Sequence, residues 1–164
     1  MKIWLVDAFT GSPFSGNPAG LCLVEEFPET HLMQQIAAEM NWSQTAFIVQ
    51  KADHHFHIRW FSPRDEAPLC GHATLAAAHL IWQEKRSQSH FLTFDSLGGL
   101  LTAEKQGDGW IYLNFPVKPV VKCSSPLLLY QALGNLSVQS VYRDQTVYMV
   151  LLEHSQDVKL LQPN

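Results

Sequence analysis

The chain has 164 residues, 46% of them hydrophobic and 16% charged, enough apolar content to bury a core and too much for a disordered segment. A net charge of −4 without any lysine- or arginine-rich run argues against a nucleic-acid binder, which needs a basic footprint. Cys22, Cys70 and Cys123, odd in number and scattered, give no disulfide framework, and with neither a membrane-length apolar run nor a signal-like start the expected location is the cytosol.

In chain order, Lys2–Phe9 reads as a mostly apolar strand, "GSPFSGNPAG" (Gly11–Gly20) as a turn-rich loop, and Leu21–Val24 as a short strand. Glu29–Met40 is predicted helical, because Met33, Ile36, Ala37 and Met40 recur at helical spacing. Asn41 suits its C-terminal cap. Thr45–Val49 is β-branched and apolar, a strand. "HFHIRWF" alternates, with Phe56, Ile58 and Trp60 on one face and His55, His57 and Arg59 on the other. Pro63 and Pro68 bracket an irregular segment. Gly71–Glu84 is a helix apolar almost all round, as if enclosed by sheet.

Strands follow at Phe91–Asp95, Leu100–Lys105 and Trp110–Phe115, joined by hairpin turns at Gly98-Gly99 and Gly107–Gly109. A proline-spaced linker, Phe115–Pro126, separates residues 1–118 from a second region, 119–164. That region carries a helix near Leu127–Leu133, strands near Val138–Arg143 and Val147–Glu153, and a short helix near Ser155–Leu161. It reads as the opening of a second domain that is not completed.

"FSPRDEAPLCGHATLAAA" (Phe61–Ala78) is the strongest site candidate. Gly71 stands where a loop becomes a helix, flanked by Cys70 and His72. The free amides of that helix start, including those of Gly71 and Ala73, suit a carboxylate or phosphate. They would also lower the pKa of Cys70, and His72 could donate a hydrogen bond or carry a proton near neutral pH. The same residues also read as a buried cysteine, a glycine cap and a backbone-bonded histidine. Asn17 in "SGNPAG" could present an amide to a ligand, or the stretch is a turn. Asp7 could be a cleft carboxylate or cap the next turn. His55 and His57 share a strand face, but a metal site needs three or four converging ligands, so no metal is expected. His79 reads as a satisfied core histidine.

"VDAFT", "PFSGNPAGLCLV", "MQQIAAEMNWSQTAF" and "PLCGHATLAAA" come in one order with close spacing, together with a later "GGLL". In this the chain resembles the PhzF-like phenazine-biosynthesis isomerases and epimerases, densely over Lys2–Leu101 and more loosely to Val150–Asn164. The resemblance implies the α+β diaminopimelate-epimerase-like fold, a curved, mostly antiparallel sheet wrapped around a central helix in each of two pseudo-symmetric halves. It implies a cleft without metal or organic cofactor, proton transfer on a small carboxylic acid, and homodimers.

The family's acid/base is a glutamate between serine and threonine; aligned on Ser43 and Thr45, that position here is Gln44. The histidine of "CGHAT" is His72. An amide exchanges no proton near neutral pH, so Gln44 can bind a substrate oxygen but cannot shuttle hydrogen. Cys70 is the candidate replacement base, and Glu66 reads as a structural or site-edge residue. A second half cut short implies exposed sheet edges and self-association through the half-site. Three readings stand: an isomerase impaired at residue 44, a non-catalytic carboxylate-binding pseudoenzyme, and a truncated gene product.

Overall fold

The computed structural model describes residues 1–12, 14–134 and 136–162. Pro13 of the first loop and the last two residues of the C-terminal match lie outside the described residues. The chain divides into two compact units, Met1–Pro116 and Val117–Asn164.

Among its described residues the first unit holds eight strands and two helices: β1 (Trp4–Ala8), β2 (Asn17–Val24), α1 (Thr30–Met40), β3 (Thr45–Ala52), β4 (His55–Phe61), β5 (Glu66–Ala67), α2 (Gly71–Gln83), β6 (Phe91–Ser96), β7 (Gly99–Lys105) and β8 (Ile111–Asn114). The strands form one sheet in the order β1-β2-β3-β4-β6-β7-β8, with β5 paired to β4. The β2–β3 and β4–β6 pairs are parallel and the others antiparallel, which gives a mixed, mostly antiparallel sheet of the expected α+β class. It curls around α2, which packs against β1, β2, β3 and β8.

Burial explains the curl. The alternation in β4 is realised: Phe56, Ile58 and Trp60 are fully buried in one cluster with α2, and His55, His57 and Arg59 are partly exposed. β3 is buried on both faces. Ala46 and Ile48 join that inner cluster, while Phe47 packs outward with Cys22, Met33, Ala37 and Phe61 beneath α1. α1 ends at Asn41, whose φ of 53° is the left-handed cap expected of asparagine. In α2, Ala73, Ala76, Ala77, Ala78, Leu80 and Ile81 are all buried, as an all-round apolar helix requires.

Four expectations need correction. β2 begins at Asn17, so "NPAG" is strand and not loop: Asn17–Leu21 pair with Trp4–Ala8. Pro18 is tolerated because β3 joins the other edge only from Gly20 onward. The Pro63–Pro68 segment contains β5, and the proline-spaced linker contains β9 (Val121–Cys123). His79 is exposed and not a core histidine.

The second unit carries β9, α3 (Leu127–Ala132), β10 (Val138–Arg143), β11 (Tyr148–Leu152) and α4 (Ser155–Leu160). Its strands form an antiparallel sheet in the order β11-β10-β9, with α4 against β11. The boundary expected after residue 118 falls two residues beyond the one found, after Pro116.

Candidate active site

The start of β2, the turn before β3 and the start of α2 converge in the first unit. β2 and β3 lie side by side in parallel, and the Gly20 N–H donates to the Gln44 carbonyl at 2.9 Å, so Asn17–Gly20 and Ser43–Gln44 are held together. Ser43 Oγ lies 3.0 Å from the Pro18 carbonyl, 3.3 Å from Asn17 Oδ1 and 3.2 Å from His72 Nε2. On the other side of that ring, His72 Nδ1 lies 3.4 Å from Cys70 Sγ. Asn17, Ser43, His72 and Cys70 therefore form one continuous polar chain. Ser43 was missed in the sequence as a site residue; its only signal was its place beside Gln44.

Gln44 faces inward. It stands just ahead of β3, whose Ala46 and Ile48 meet α2. Its Oε1 is enclosed yet has no hydrogen-bond partner among the described residues. The Nε1–H of wholly buried Trp60, the register partner of Ala46, is likewise unpartnered. An orphaned acceptor of this kind costs about 1–3 kcal/mol, a cost that a ligand or solvent donor would relieve.

Cys70 is the N-cap of α2; its side chain makes no geometric cap bond, but the first-turn amides of His72 and Ala73 lie near enough to its sulfur to act on it. The pKa of Cys70 is raised, not lowered as expected of a thiol at a helix start. Burial outweighs the opposing pull of the nearby Ala73 and His72 amides. Burial also pushes His72 below its ordinary value, against the pull of the Pro18 carbonyl. The resting pair is thus neutral thiol and neutral imidazole. An alanine methyl at Gly71 would meet only Phe115 at 3.5 Å, so packing within the unit does not dictate the glycine.

Asp7 stands apart from the polar chain. With Phe9, Leu75, Ala76, His79 and Trp110 it lines a cavity of about 720 Å³ over α2. His72, Leu75, Ala76 and His79 fall at helical spacing, so one face of α2 runs from the site along the cavity floor. Glu66 is committed elsewhere, accepting from Arg59 Nε and Nη2, each at 2.7 Å. His55 pairs with Asp95 at 2.7 Å. Among the described residues no group of three or more histidine, cysteine or acidic side chains could hold a metal. No helix of the described residues is long and apolar enough to cross a membrane.

The family model for phenazine biosynthesis-like proteins matches residues 6–164. The chain is 40% identical over 166 residues to an uncharacterised isomerase of Halalkalibacterium halodurans, covering 99% of this chain and 61% of that protein. It is 40% identical over 174 residues to the mouse phenazine biosynthesis-like domain-containing protein 1, covering 99% of this chain and 60% of the relative. Among solved structures, a PhzF-family protein of Enterococcus faecalis superimposes with a TM-score of 0.86 at 32% identity, over 99% of this chain and 61% of that one. A predicted epimerase of Pseudomonas aeruginosa, at 18% identity and a TM-score of 0.73, shares the fold. The chain thus spans about three fifths of the length of these relatives, and it belongs to the phenazine biosynthesis-like, or PhzC–PhzF, family.

Proposed function

We propose that this chain carries the site of a cofactor-independent isomerase or epimerase that acts by proton transfer on a small carboxylic acid, and that Gln44 leaves it able to bind the acid but poor at moving the proton. The observation that supports this most is the linked set of Asn17, Ser43, His72 and Cys70 at the start of α2, next in sequence to Gln44, whose enclosed Oε1 lacks a partner among the described residues and which stands where the resemblance puts a glutamate. The first-turn amides of Gly71, His72 and Ala73 would receive the carboxylate. Positioned acid–base catalysis is worth roughly 10²–10⁴-fold, and an amide forfeits it.

The test is solvent deuterium incorporation into a panel of small amino and aromatic carboxylic acids, in a chimera that joins this chain to the remaining length of a relative. Gln44→Glu should speed exchange by about 10²–10⁴-fold over the natural residue. Equal rates in the two chimeras would remove residue 44 from the chemistry.

The second reading is a carboxylate-binding protein without catalysis. It is favoured by the raised pKa of Cys70, which makes a thiol a weak substitute for the missing carboxylate. On either reading the protein is cytosolic and self-associates. The exposed apolar side chains Leu5 and Tyr112 on the two end strands support the association, and sedimentation would measure it.

A further inference from the structure

We propose that Ser43 is a positioning residue that fixes His72 as the Nε2–H tautomer, leaving Nδ1 as the acceptor for the Cys70 thiol. Ser43 Oγ carries a single hydrogen and has three neighbours: the Pro18 carbonyl at 3.0 Å, Asn17 Oδ1 at 3.3 Å and His72 Nε2 at 3.2 Å. A carbonyl oxygen only accepts, so the hydroxyl hydrogen goes to Pro18 or Asn17. Oγ then meets Nε2 as an acceptor, and Nε2 must carry the proton. In a neutral ring this leaves Nδ1 bare, 3.4 Å from Sγ, where an S–H donor is the partner it needs.

The opposite tautomer fares worse. Oγ–H would have to turn to Nε2, stripping the Pro18 carbonyl of its partner, and Nδ1–H would point at sulfur, a weak acceptor. One arrangement satisfies three links in a row, Sγ–H to Nδ1, Nε2–H to Oγ and Oγ–H to the Pro18 carbonyl. The other satisfies one good link and one weak one. Turning the Asn17 amide over changes nothing, because the Pro18 carbonyl still requires the hydroxyl hydrogen. The Pro18 carbonyl also acts on the ring itself, and as a pure acceptor it favours a proton on the ring nitrogen that faces it. Both ring nitrogens are then committed, and the basic one faces the thiol. Proton exchange with the ring's basic nitrogen must therefore pass on the Cys70 side.

The assignment concerns the same site as the isomerase reading but is read in the resting protein, so it succeeds or fails independently of turnover. The experiment is long-range ¹H–¹⁵N correlation of the histidine side chains in the ¹⁵N-labelled full chain at pH 8, with the His72 signals identified by their loss in His72→Gln. The natural chain should show a protonated-type Nε2 and a bare-type Nδ1. Ser43→Ala should give a mixture of tautomers, Ser43→Thr should restore the single form, and Cys70→Ala should leave Nε2–H in place. A natural chain with Nδ1–H, an unaltered pattern in Ser43→Ala, or a switched tautomer in Cys70→Ala would each overturn the proposal.

Discussion

At position 44 the proposal turns on one atom: Gln44 carries an amide nitrogen where the resemblance implies a carboxylate oxygen. An amide has neither the charge of a carboxylate nor the exchangeable proton of a carboxylic acid, and Cys70 and His72 are themselves held neutral by burial. Those shifts fix a pH dependence. His72 and His57 both titrate below their ordinary 6.5, because burial favours the neutral ring. The unfolded chain therefore takes up protons first as pH falls. Their stabilisation is complete above about pH 6.5 and is lost below it. Burial raises Cys22 from 9.0 to about 12, so its contribution is complete below pH 9 and is lost between pH 9 and 12. The melting temperature should be highest between pH 7 and 8.5 and fall on both sides. Cys22→Ala should lower the whole curve and flatten its alkaline limb; an alkaline limb of unchanged slope would exclude Cys22 as its source. Residue by residue, Asn17, Gln44, Cys70 and His72 were legible in the sequence because motif order carried them. Ser43 was not, because its meaning lies in contacts with residues 25, 26 and 29 positions away.

Among the elements, the long periodic ones were the readable ones. α1, α2 and β4 declare themselves by spacing, whereas β5 and β9, of two and three residues, are too short to show a period. β2 was misjudged at its start because "GNPAG" has the composition of a turn. What makes it a strand is pairing on one side with β1 and, from Gly20, on the other with β3. His79 was misplaced for a related reason: a helix buried along most of its length still exposes some positions, and the sequence does not say which. Gly20 shows how tightly these elements meet at the site. A Cβ there would come within 2.4 Å of the Trp42 ring, while the Gly20 N–H holds the Gln44 carbonyl. Gly20→Ala should therefore push Trp42 aside and cost about 1–3 kcal/mol in urea unfolding, carrying Ser43 and Gln44 with it. A cost below about 0.5 kcal/mol, the range of a neutral surface change, would mean that Trp42 moves freely.

For the molecule as a whole, the fold class follows from how the first unit buries its central helix, and family membership rests on a match that runs through nearly the whole chain. The sheet curled around one apolar helix sets the half-buried start of that helix, Gly71 and His72, beside Asn17 and Ser43. The central claim is that this helix start binds a carboxylate. Its direct test is a titration of the ¹⁵N-labelled chain with a small carboxylic acid, such as benzoate or an aromatic amino acid, followed through its backbone amides. The account predicts saturable shifts centred on Gly71, His72 and Ala73, weakened in Gln44→Glu, where a second negative charge would oppose the ligand. No saturable shift at millimolar acid, or shifts confined to the cavity of Asp7, His79 and Trp110, would contradict it.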